Sequence, residues 1–403
     1  MENMIMDSLK KGEIMELFQN AAEELKKEYQ CFLDYLNSNE VQLSKRTGHI
    51  GKKDCFALNR LFCIVNERYN SYGRSQDYYT VIDFFYFFSV HSGILQVVKK
   101  KGKGLTTQKS QRYDIFAQMA AMEQYILMMA VWLGEYQEAI ADSFSVFWGN
   151  RIFEAMQGVE TGAVVPEPSG GRVPAPWGNR YIPEIRLFAL FQLIHIEWLE
   201  EKEEDNDNKF RIKALYQTEA GNFLDKLFQK QSREFWYNLS VDTVVPVLND
   251  VINNCSVSTE EKLMHFWANP VESGLHTVEF KIVVGSCMRR IKIGDQFTLE
   301  DLHYLIQKSV DFDSDHLYYF QIGSGTSRRR YFAPECEDDS WLADMVSLAE
   351  LPLYEGMEFE YLFDFGDQWR FQIKVEHILS GYTGKYEISK IKGEAPEQYS
   401  SDW

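Results

Sequence analysis

The chain has 403 residues, longer than most single domains, and its 45% hydrophobic and 15% aromatic content excludes a largely disordered protein. Its formal net charge of −18 excludes a protein that binds nucleic acid through overall charge alone. Its six cysteines include no CxxC pair and no zinc-module spacing, which is typical of a reducing cytoplasm.

The first third of the chain combines helical patterns with one short strand pair. Apolar residues recur at helical spacing over 5–37, and a Gly-punctuated basic turn follows over 43–54. The predicted elements after that turn are helix 55–69, helix 78–94, strand 95–100, a Gly turn over 101–104, strand 105–107 and a helix over 111–133.

Helix, helix, strand, turn, strand, helix is the order of a winged helix-turn-helix unit. A weaker second copy is predicted further on, with an apolar helix over 186–199, a strand over 210–215 and a helix that begins at Thr218. The N-terminal part is therefore predicted to be mainly α-helical. Two interpretations stay open for it: tandem winged-helix-like units or a generic helical domain.

Two Pro/Gly-bearing stretches divide the chain. The segment 164–178 holds four prolines and three glycines, a composition that excludes helix and central strand. The stretch 269–274 is the best candidate for a domain boundary. These stretches predict a helical domain over 1–270 and a second domain over 275–403.

The second domain is predicted to be α+β. Period-two alternation on both sides of a turn marks one hairpin over 276–293 and another over 359–376. Thr298 caps a helix between them, and a strand follows over 317–322. Hairpin, helix, strand, hairpin is a β-grasp-like order.

Several short motifs in this domain resemble those of a known family. They are Arg289-Arg290, Leu299-Glu-Asp-Leu-His303, Asp315-His-Leu-Tyr-Tyr-Phe320, Tyr361-Leu-Phe-Asp-Phe-Gly-Asp-Gln-Trp369 and Gly393-Glu-Ala-Pro-Glu-Gln398. In this order they resemble the Ri-plasmid ORF-three-like domain family, found in plasmid and transposon-passenger proteins. Members often carry a second histidine two residues after the one that matches His316, where this chain has Tyr318. The resemblance implies a fold but no settled activity.

Two aspartates flank the turn of the second hairpin, and they suggest a candidate site. Asp364, Asp367 and the adjacent Trp369 would meet His316 if the strands 317–322 and 357–364 are neighbours. A histidine beside two carboxylates could bind a metal or act in general acid–base catalysis. The structural alternative, which we weight more heavily, is that the aspartates accept hydrogen bonds from backbone N–H groups of the turn. No resident metal or cofactor is predicted.

Two windows of the N-terminal part carry cations without any acid. The first holds Lys45, Arg46, Lys52 and Lys53, and the second holds Lys99, Lys100, Lys101 and Lys103. They could contact nucleic-acid phosphates, with the second window forming the wing. The alternative is that they are solvated loops of an acidic protein.

The sequence therefore favours a cytoplasmic, non-enzymatic binding or regulatory protein, whose N-terminal part binds nucleic acid or a protein partner. The alternative is a metal-dependent or acid–base hydrolase that uses His316, Asp364 and Asp367. The most apolar window, 115–133, contains Gln118, Glu123 and Gln124, so no membrane partner is expected. The sequence does not predict the oligomeric state.

Overall fold

The computed structural model describes residues 2–45, 47–65, 73–100, 102, 104–136, 182–198, 212–250, 257–268, 275–323, 328–336, 341–381 and 384–399. The predicted Pro/Gly-rich segment 164–178, the predicted boundary 269–274 and the candidate residues Arg46, Lys101 and Lys103 lie outside this range. The chain forms two compact units. The first comprises Met1–Asn39, Ile50–Ser89 and Gln111–Trp267, and the second comprises Glu40–His49, Val90–Ser110 and Ala268–Trp403.

The helices and strands are numbered here in chain order. The helices are α1 (Glu2–Ser38), α2 (Lys52–Asn59), α3 (Thr80–His91), α4 (Gln111–Ala117), α5 (Ala121–Val131), α6 (Ile182–Leu190), α7 (Glu219–Phe228), α8 (Arg233–Tyr237), α9 (Val241–Leu248), α10 (Val257–Ala268) and α11 (Leu299–Val310). The strands are β1 (Leu95–Lys100), β2 (Gly104–Lys109), β3 (Ile194–Trp198), β4 (Ile212–Gln217), β5 (His276–Val284), β6 (Cys287–Gly294), β7 (Tyr318–Ile322), β8 (Arg329–Phe332), β9 (Glu358–Phe363), β10 (Trp369–Ser380) and β11 (Glu387–Lys392). A 3₁₀ turn (Gln76–Tyr78) precedes α3, and a π turn (Trp132–Tyr136) continues α5.

Aromatic side chains form the core of the first unit. The ring of Tyr29 on α1 meets those of Phe85 and Phe88 on α3 edge to face, with centroids 5.2 and 5.5 Å apart. The Tyr29 hydroxyl lies 2.7 Å from Ser89 Oγ, so its polar end is also satisfied. Because α3 is apolar on nearly all sides, it is a fully buried central helix.

The structure corrects the helix predicted over 186–199. Helix α6 ends at Leu190, and Gln192 has a left-handed backbone with φ +54°. A left-handed residue at this position is a common way for a helix to end. The next apolar residues form β3, which pairs with β4 in antiparallel register. The segment predicted to be a second copy therefore has a helix, an antiparallel strand pair and a helix, α6-β3-β4-α7.

The second unit contains an antiparallel seven-stranded sheet in the order β11-β6-β5-β10-β9-β7-β8. Helix α11 begins with a capping box, in which Asp301 N–H donates to Thr298 Oγ1 at 3.2 Å and Thr298 N–H donates to the Asp301 carboxylate at 2.9 Å. The helix packs on one face of the sheet, because its His303 Nδ1 lies 2.6 Å from the Tyr361 hydroxyl of β9. The segments Glu40–His49 and Val90–Ser110 join this unit; Leu43 N–H donates to Leu105 O on β2 at 2.8 Å.

The observed architecture is a helical N-terminal region and a sheet-rich C-terminal region, as predicted at this level. The winged-helix-like and β-grasp-like descriptions are finer than this result and stay predictions. No helix in the described part of the chain is long and apolar enough to span a membrane.

Candidate functional site

Asp364 lies at the tight turn that joins β9 to β10. Its backbone is left-handed, with φ +58°, and its side chain bends back over the turn. Asp364 Oδ1 accepts hydrogen bonds from the backbone N–H groups of Gly366 at 2.8 Å and Asp367 at 3.3 Å. Its carbonyl accepts from Gln368 N–H at 2.7 Å. One carboxylate oxygen is thus used to hold the turn.

The other carboxylate oxygen of Asp364 faces His316. His316 Nε2 lies 3.7 Å from Asp364 Oδ2 and 3.6 Å from Asp315 Oδ1. The two residues come together because β7 and β9 are neighbours in the sheet, and Asp364 N–H donates to Leu317 O at 3.0 Å. Asp364 is only 9% exposed, whereas the His316 side chain is 39% exposed. The pair therefore forms a shallow surface site.

Asp367 and Trp369 contribute to this site in other ways. Asp367 is exposed and supplies its backbone N–H to the turn. The half-buried ring of Trp369 packs edge to face on Phe312, with centroids 5.0 Å apart. Trp369 Nε1 is buried and has no hydrogen-bond partner among the described residues. The structure thus brings His316 and Asp364 together, leaves the Asp367 side chain in solvent and uses Trp369 for packing.

Sequence reasoning missed Tyr399, which completes the surface around His316. Its hydroxyl lies 3.2 Å from His316 Nε2 and accepts from Gln398 Nε2 at 3.1 Å. Gln398 also accepts at Oε1 from the N–H of Asp313, at 2.6 Å. Gln398 is the last residue of the last family-like motif. The position of this motif next to Tyr399 is the one feature of the sequence that indicates a role for the tail.

The surface around Tyr399 is acidic. Partial desolvation and the nearby carboxylates of Asp315, Asp313 and Asp364 raise the pKa of Tyr399 above its usual range. Among the described residues, no group of three or more His, Cys, Asp or Glu side chains is placed to hold a metal ion. The arrangement that is present, an imidazole between two carboxylates and a phenol, can exchange protons with solvent or bind a small polar group.

A second histidine lies under the sheet and is inaccessible. His303 is 1% exposed, and burial lowers its pKa to about 3, so the ring is neutral at pH 7. Tyr361, whose hydroxyl lies 2.6 Å from His303 Nδ1, also accepts from Gln307 Nε2 at 2.5 Å. Tyr318 stacks on the His303 ring with centroids 3.9 Å apart and an interplanar angle of 6°. Tyr318, which aligns with the second histidine of the resembled family, therefore packs in the core.

The five candidate phosphate-contacting residues that the structure describes are all exposed: Lys45, Lys52, Lys53, Lys99 and Lys100. Lys99 and Lys100 end strand β1, and Lys99 Nζ lies 3.9 Å from Glu355 Oε2. Lys45 follows two residues after Leu43, which is bridged to Leu105 of β2. These three lysines therefore belong to one local structure within the second unit.

Lys52 and Lys53 belong to the first unit, at the first turn of α2. The positive end of the helix dipole disfavours cations in a first turn. Helix stability therefore does not account for their position.

Comparisons with known proteins concern the C-terminal third. A curated relative, the uncharacterized protein y4hQ of Sinorhizobium fredii (strain NBRC 101917 / NGR234), is 26% identical over 124 residues, which is 29% of this chain and 60% of that protein. A solved structure, that of protein of unknown function MM3350 from Methanosarcina mazei Go1, has 21% identity and a TM-score of 0.25 and covers 31% of this chain and 73% of that one. Residues 276–398 match the family model described as plasmid pRiA4b ORF-3-like protein, and this confirms the family resemblance predicted from the motifs.

Proposed function

We propose that the chain is a non-enzymatic binding protein whose β1–β2 hairpin contacts the phosphates of a nucleic acid. The observation that carries the proposal is the cluster of exposed cations Lys99 and Lys100 at the end of β1, with Lys45 on the adjoining segment. Lysines on a narrow two-stranded element suit phosphate contact, because each neutralised phosphate releases condensed counterions. A protein partner with an acidic surface is the alternative ligand for the same cations.

The finer architecture that we propose is a tandem of winged-helix-like units. The order α3-β1-β2-α4 supports it, and so does the order α6-β3-β4-α7. In this interpretation β1 and β2 form the wing, and Lys52 and Lys53 of α2 are a separate candidate contact. The order hairpin, helix, strand, hairpin supports a β-grasp-like description of β5 to β10 with α11.

A gel-shift titration of the full chain with duplex DNA, at about 50 and 200 mM salt, tests this proposal. We expect a shift at low salt that weakens steeply at high salt. The variant Lys99→Glu/Lys100→Glu should weaken binding and lower the salt slope by about 0.9 for each phosphate that the variant no longer neutralises.

A matched control is Lys226→Glu/Lys230→Glu, which changes the net charge equally at two exposed lysines near the end of α7. This control should retain binding. No shift at low salt, or equal weakening by both double variants, would contradict the proposal.

The second candidate, an acid–base or metal-dependent hydrolase that uses His316, Asp364 and Asp367, is favoured by one observation. His316 Nε2 lies 3.7 Å from Asp364 Oδ2, too far for a direct hydrogen bond but close enough for both side chains to contact one bound ligand. Metal analysis of purified protein, together with hydrolysis assays on phosphodiester, ester and peptide substrates, tests this function. A metal-free protein with no activity that depends on His316, measured with His316→Ala, would rule it out.

A further inference from the structure

The seven-stranded sheet has two unlike faces. Alternate residues of the strands are buried on the face where α11 contacts Tyr361, and Tyr361 and Phe371 have no exposed area. The residues between them form the opposite surface, named here the outer face. It carries Tyr319 of β7, Phe332 of β8 and Arg370 of β10, which the strand register places in one row. In antiparallel sheets one face is commonly open to solvent, and the outer face has that character.

An aromatic patch lies at one end of the outer face. It consists of Leu317, Tyr319, Phe332 and Phe365. The Tyr319 ring lies 5.6 Å from that of Phe332 and 5.9 Å from that of Phe365, measured between centroids. Phe365 is 41% exposed and Leu317 is 40% exposed. A contiguous exposed apolar patch of this kind commonly marks an interaction site.

Cationic groups border the aromatic patch. The guanidinium carbon of Arg330 lies 5.0 Å from the centre of the Tyr319 ring, and Arg330 Nε donates to Gln321 Oε1 at 3.1 Å. Arg370 lies in the same row as Tyr319 and Phe332; its side chain is half exposed and pairs with Glu360 at 2.8 Å. Guanidinium planes and aromatic rings together offer flat surfaces on which another ring system can stack.

The charge of the outer face contrasts with that of its surroundings. Residues 271–403 contain 13 basic and 24 acidic side chains. Among the side chains that the structure describes, the register and the Arg290–Glu376 ion pair place seven of the basic residues on the outer face but only five of the acidic ones. The basic residues are Lys281, Arg290, Lys292, Arg330, Arg370, Lys374 and Lys392, and the acidic ones are Glu279, Glu358, Glu360, Glu376 and Glu387.

We infer that the outer face binds single-stranded nucleic acid. Its bases stack on the aromatic patch, and its phosphates contact the basic residues of the outer face. Charge complementarity favours a polyanion, because cations outnumber carboxylates on this one face of an acidic region. The rings favour unpaired bases, since a duplex hides the flat faces of its bases and a single strand offers them to aromatic side chains. This inference does not rest on the hairpin proposal, because the two surfaces share no residue.

Fluorescence anisotropy of the full chain with a labelled oligothymidylate of about 20 nucleotides tests the inference. We expect binding at low salt and weakening by about tenfold in Phe365→Leu, which keeps an apolar side chain but removes the ring. Tyr319→Ala should weaken binding at least as much. Tyr304→Ala, which removes a half-exposed ring from α11, is the matched control and should bind as the parent does. Circular dichroism and thermal melting of each variant report whether it folds.

Two competitor probes separate the possible ligands. Heparin has the charge of a polyanion without bases, and a poly-glutamate peptide represents an acidic protein partner. Oligothymidylate binding that depends on the Phe365 and Tyr319 rings, with weaker binding of both competitors, supports the inference. No oligothymidylate binding at low salt, equal affinity for heparin without ring dependence, or ring-dependent binding of poly-glutamate alone would each overturn it. Retained binding in the hairpin variant Lys99→Glu/Lys100→Glu would separate this surface from the hairpin.

Discussion

The Asp364 carboxylate accepts two backbone N–H groups in a turn whose first residue is left-handed. In Asp364→Ala both donors lose their acceptor and alanine must adopt φ +58°, which costs about 1–2 kcal/mol by itself. We expect the free energy of unfolding, measured by urea denaturation, to fall by about 2–3 kcal/mol in total. Asp364→Asn keeps an acceptor and tolerates the left-handed region, so it should lose less than half of this amount.

The matched control for this prediction is Asp367→Ala, because the Asp367 side chain is exposed and only its backbone serves the turn. Its effect should stay within about 0.5 kcal/mol. Equal losses in Asp364→Asn and Asp364→Ala would show that the negative charge facing His316, rather than the turn, carries the stability.

The low pKa of His303 leads us to expect that the stability of the fold depends on pH. Burial lowers its pKa in the folded state to about 3, below the value of about 6.5 expected when the chain is unfolded. Between these values the unfolded chain binds a proton that the folded chain does not. The free energy of unfolding therefore falls as the pH drops from about 6.5 towards 3, by at most about 1.4 kcal/mol per pH unit from this one group.

Urea denaturation between about pH 7 and pH 4 measures this slope. His303→Asn keeps a polar atom for the Tyr361 hydroxyl and cannot titrate. We expect this variant to be less stable at pH 7 but to lose less stability on acidification. Parallel slopes for the two proteins would show that His303 is not the group responsible.

These residue-scale features differ in how well the sequence predicts them. The alternation around Asp364 predicts a turn flanked by two strands, and Asp is a usual residue for closing one. The approach of Tyr399 to His316 joins residues 83 positions apart through an irregular tail, so no periodic pattern reports it. The pKa of His303 depends on how deeply α11 packs, which a helical pattern does not specify.

At the scale of elements, Gly393 fixes where the chain leaves β11. It has φ +78°, and a Cβ added there would lie 2.5 Å from Ser286 O in the β5–β6 turn. The buried Arg289 side chain also donates from Nη1 to Gly393 O at 3.2 Å and from Nε to Ser309 O at 2.6 Å, so one guanidinium group joins the last turn of α11 to the end of β11. Displacement of Gly393 should therefore disturb β11, β6 and α11 together.

We expect Gly393→Ala to lower the free energy of unfolding by about 2–4 kcal/mol, through backbone strain and the clash with Ser286. Gly285→Ala is the control, because Gly285 also has a positive φ, +54°, but a Cβ there meets nothing within 4 Å. It should lose about 1 kcal/mol. Similar losses in the two variants, compared by urea denaturation, would show that the close approach to Ser286 is relieved at little cost.

The elements also show where sequence patterns are ambiguous. The β5–β6 and β9–β10 hairpins alternate clearly because one face is buried and the other is not. The apolar run from Arg186 has no such alternation. In a short apolar run, periodicity alone does not distinguish a helix from a strand. Strand β3 is set by its pairing with β4, which follows an acid-rich run of sequence over 200–208, so the pattern of β3 itself does not report the pairing.

At the scale of the whole molecule, the family match and the second compact unit differ in extent. The match covers residues 276–398, whereas the unit also contains Glu40–His49 and Val90–Ser110. A Cβ on Gly48 would lie 3.0 Å from the Tyr354 hydroxyl, and the ring of His91 lies 6.2 Å from that of Trp341. Two segments from the first 110 residues of the chain thus cover residues of the C-terminal third.

We therefore expect a chain trimmed to residues 275–403 to lose protection over 341–357, where these two segments pack. Hydrogen exchange followed by mass spectrometry, on the trimmed and full chains, measures this loss, because each 1.4 kcal/mol of lost local stability speeds exchange about tenfold. Amides of the β5–β6 hairpin serve as an internal control and should exchange alike in both chains. Fast exchange at every amide would mean that the family-matching part needs the two segments in order to fold. Identical exchange over 341–357 would mean that the packing at Tyr354 and Trp341 contributes no stability, and that the family-matching part is an independent folding unit.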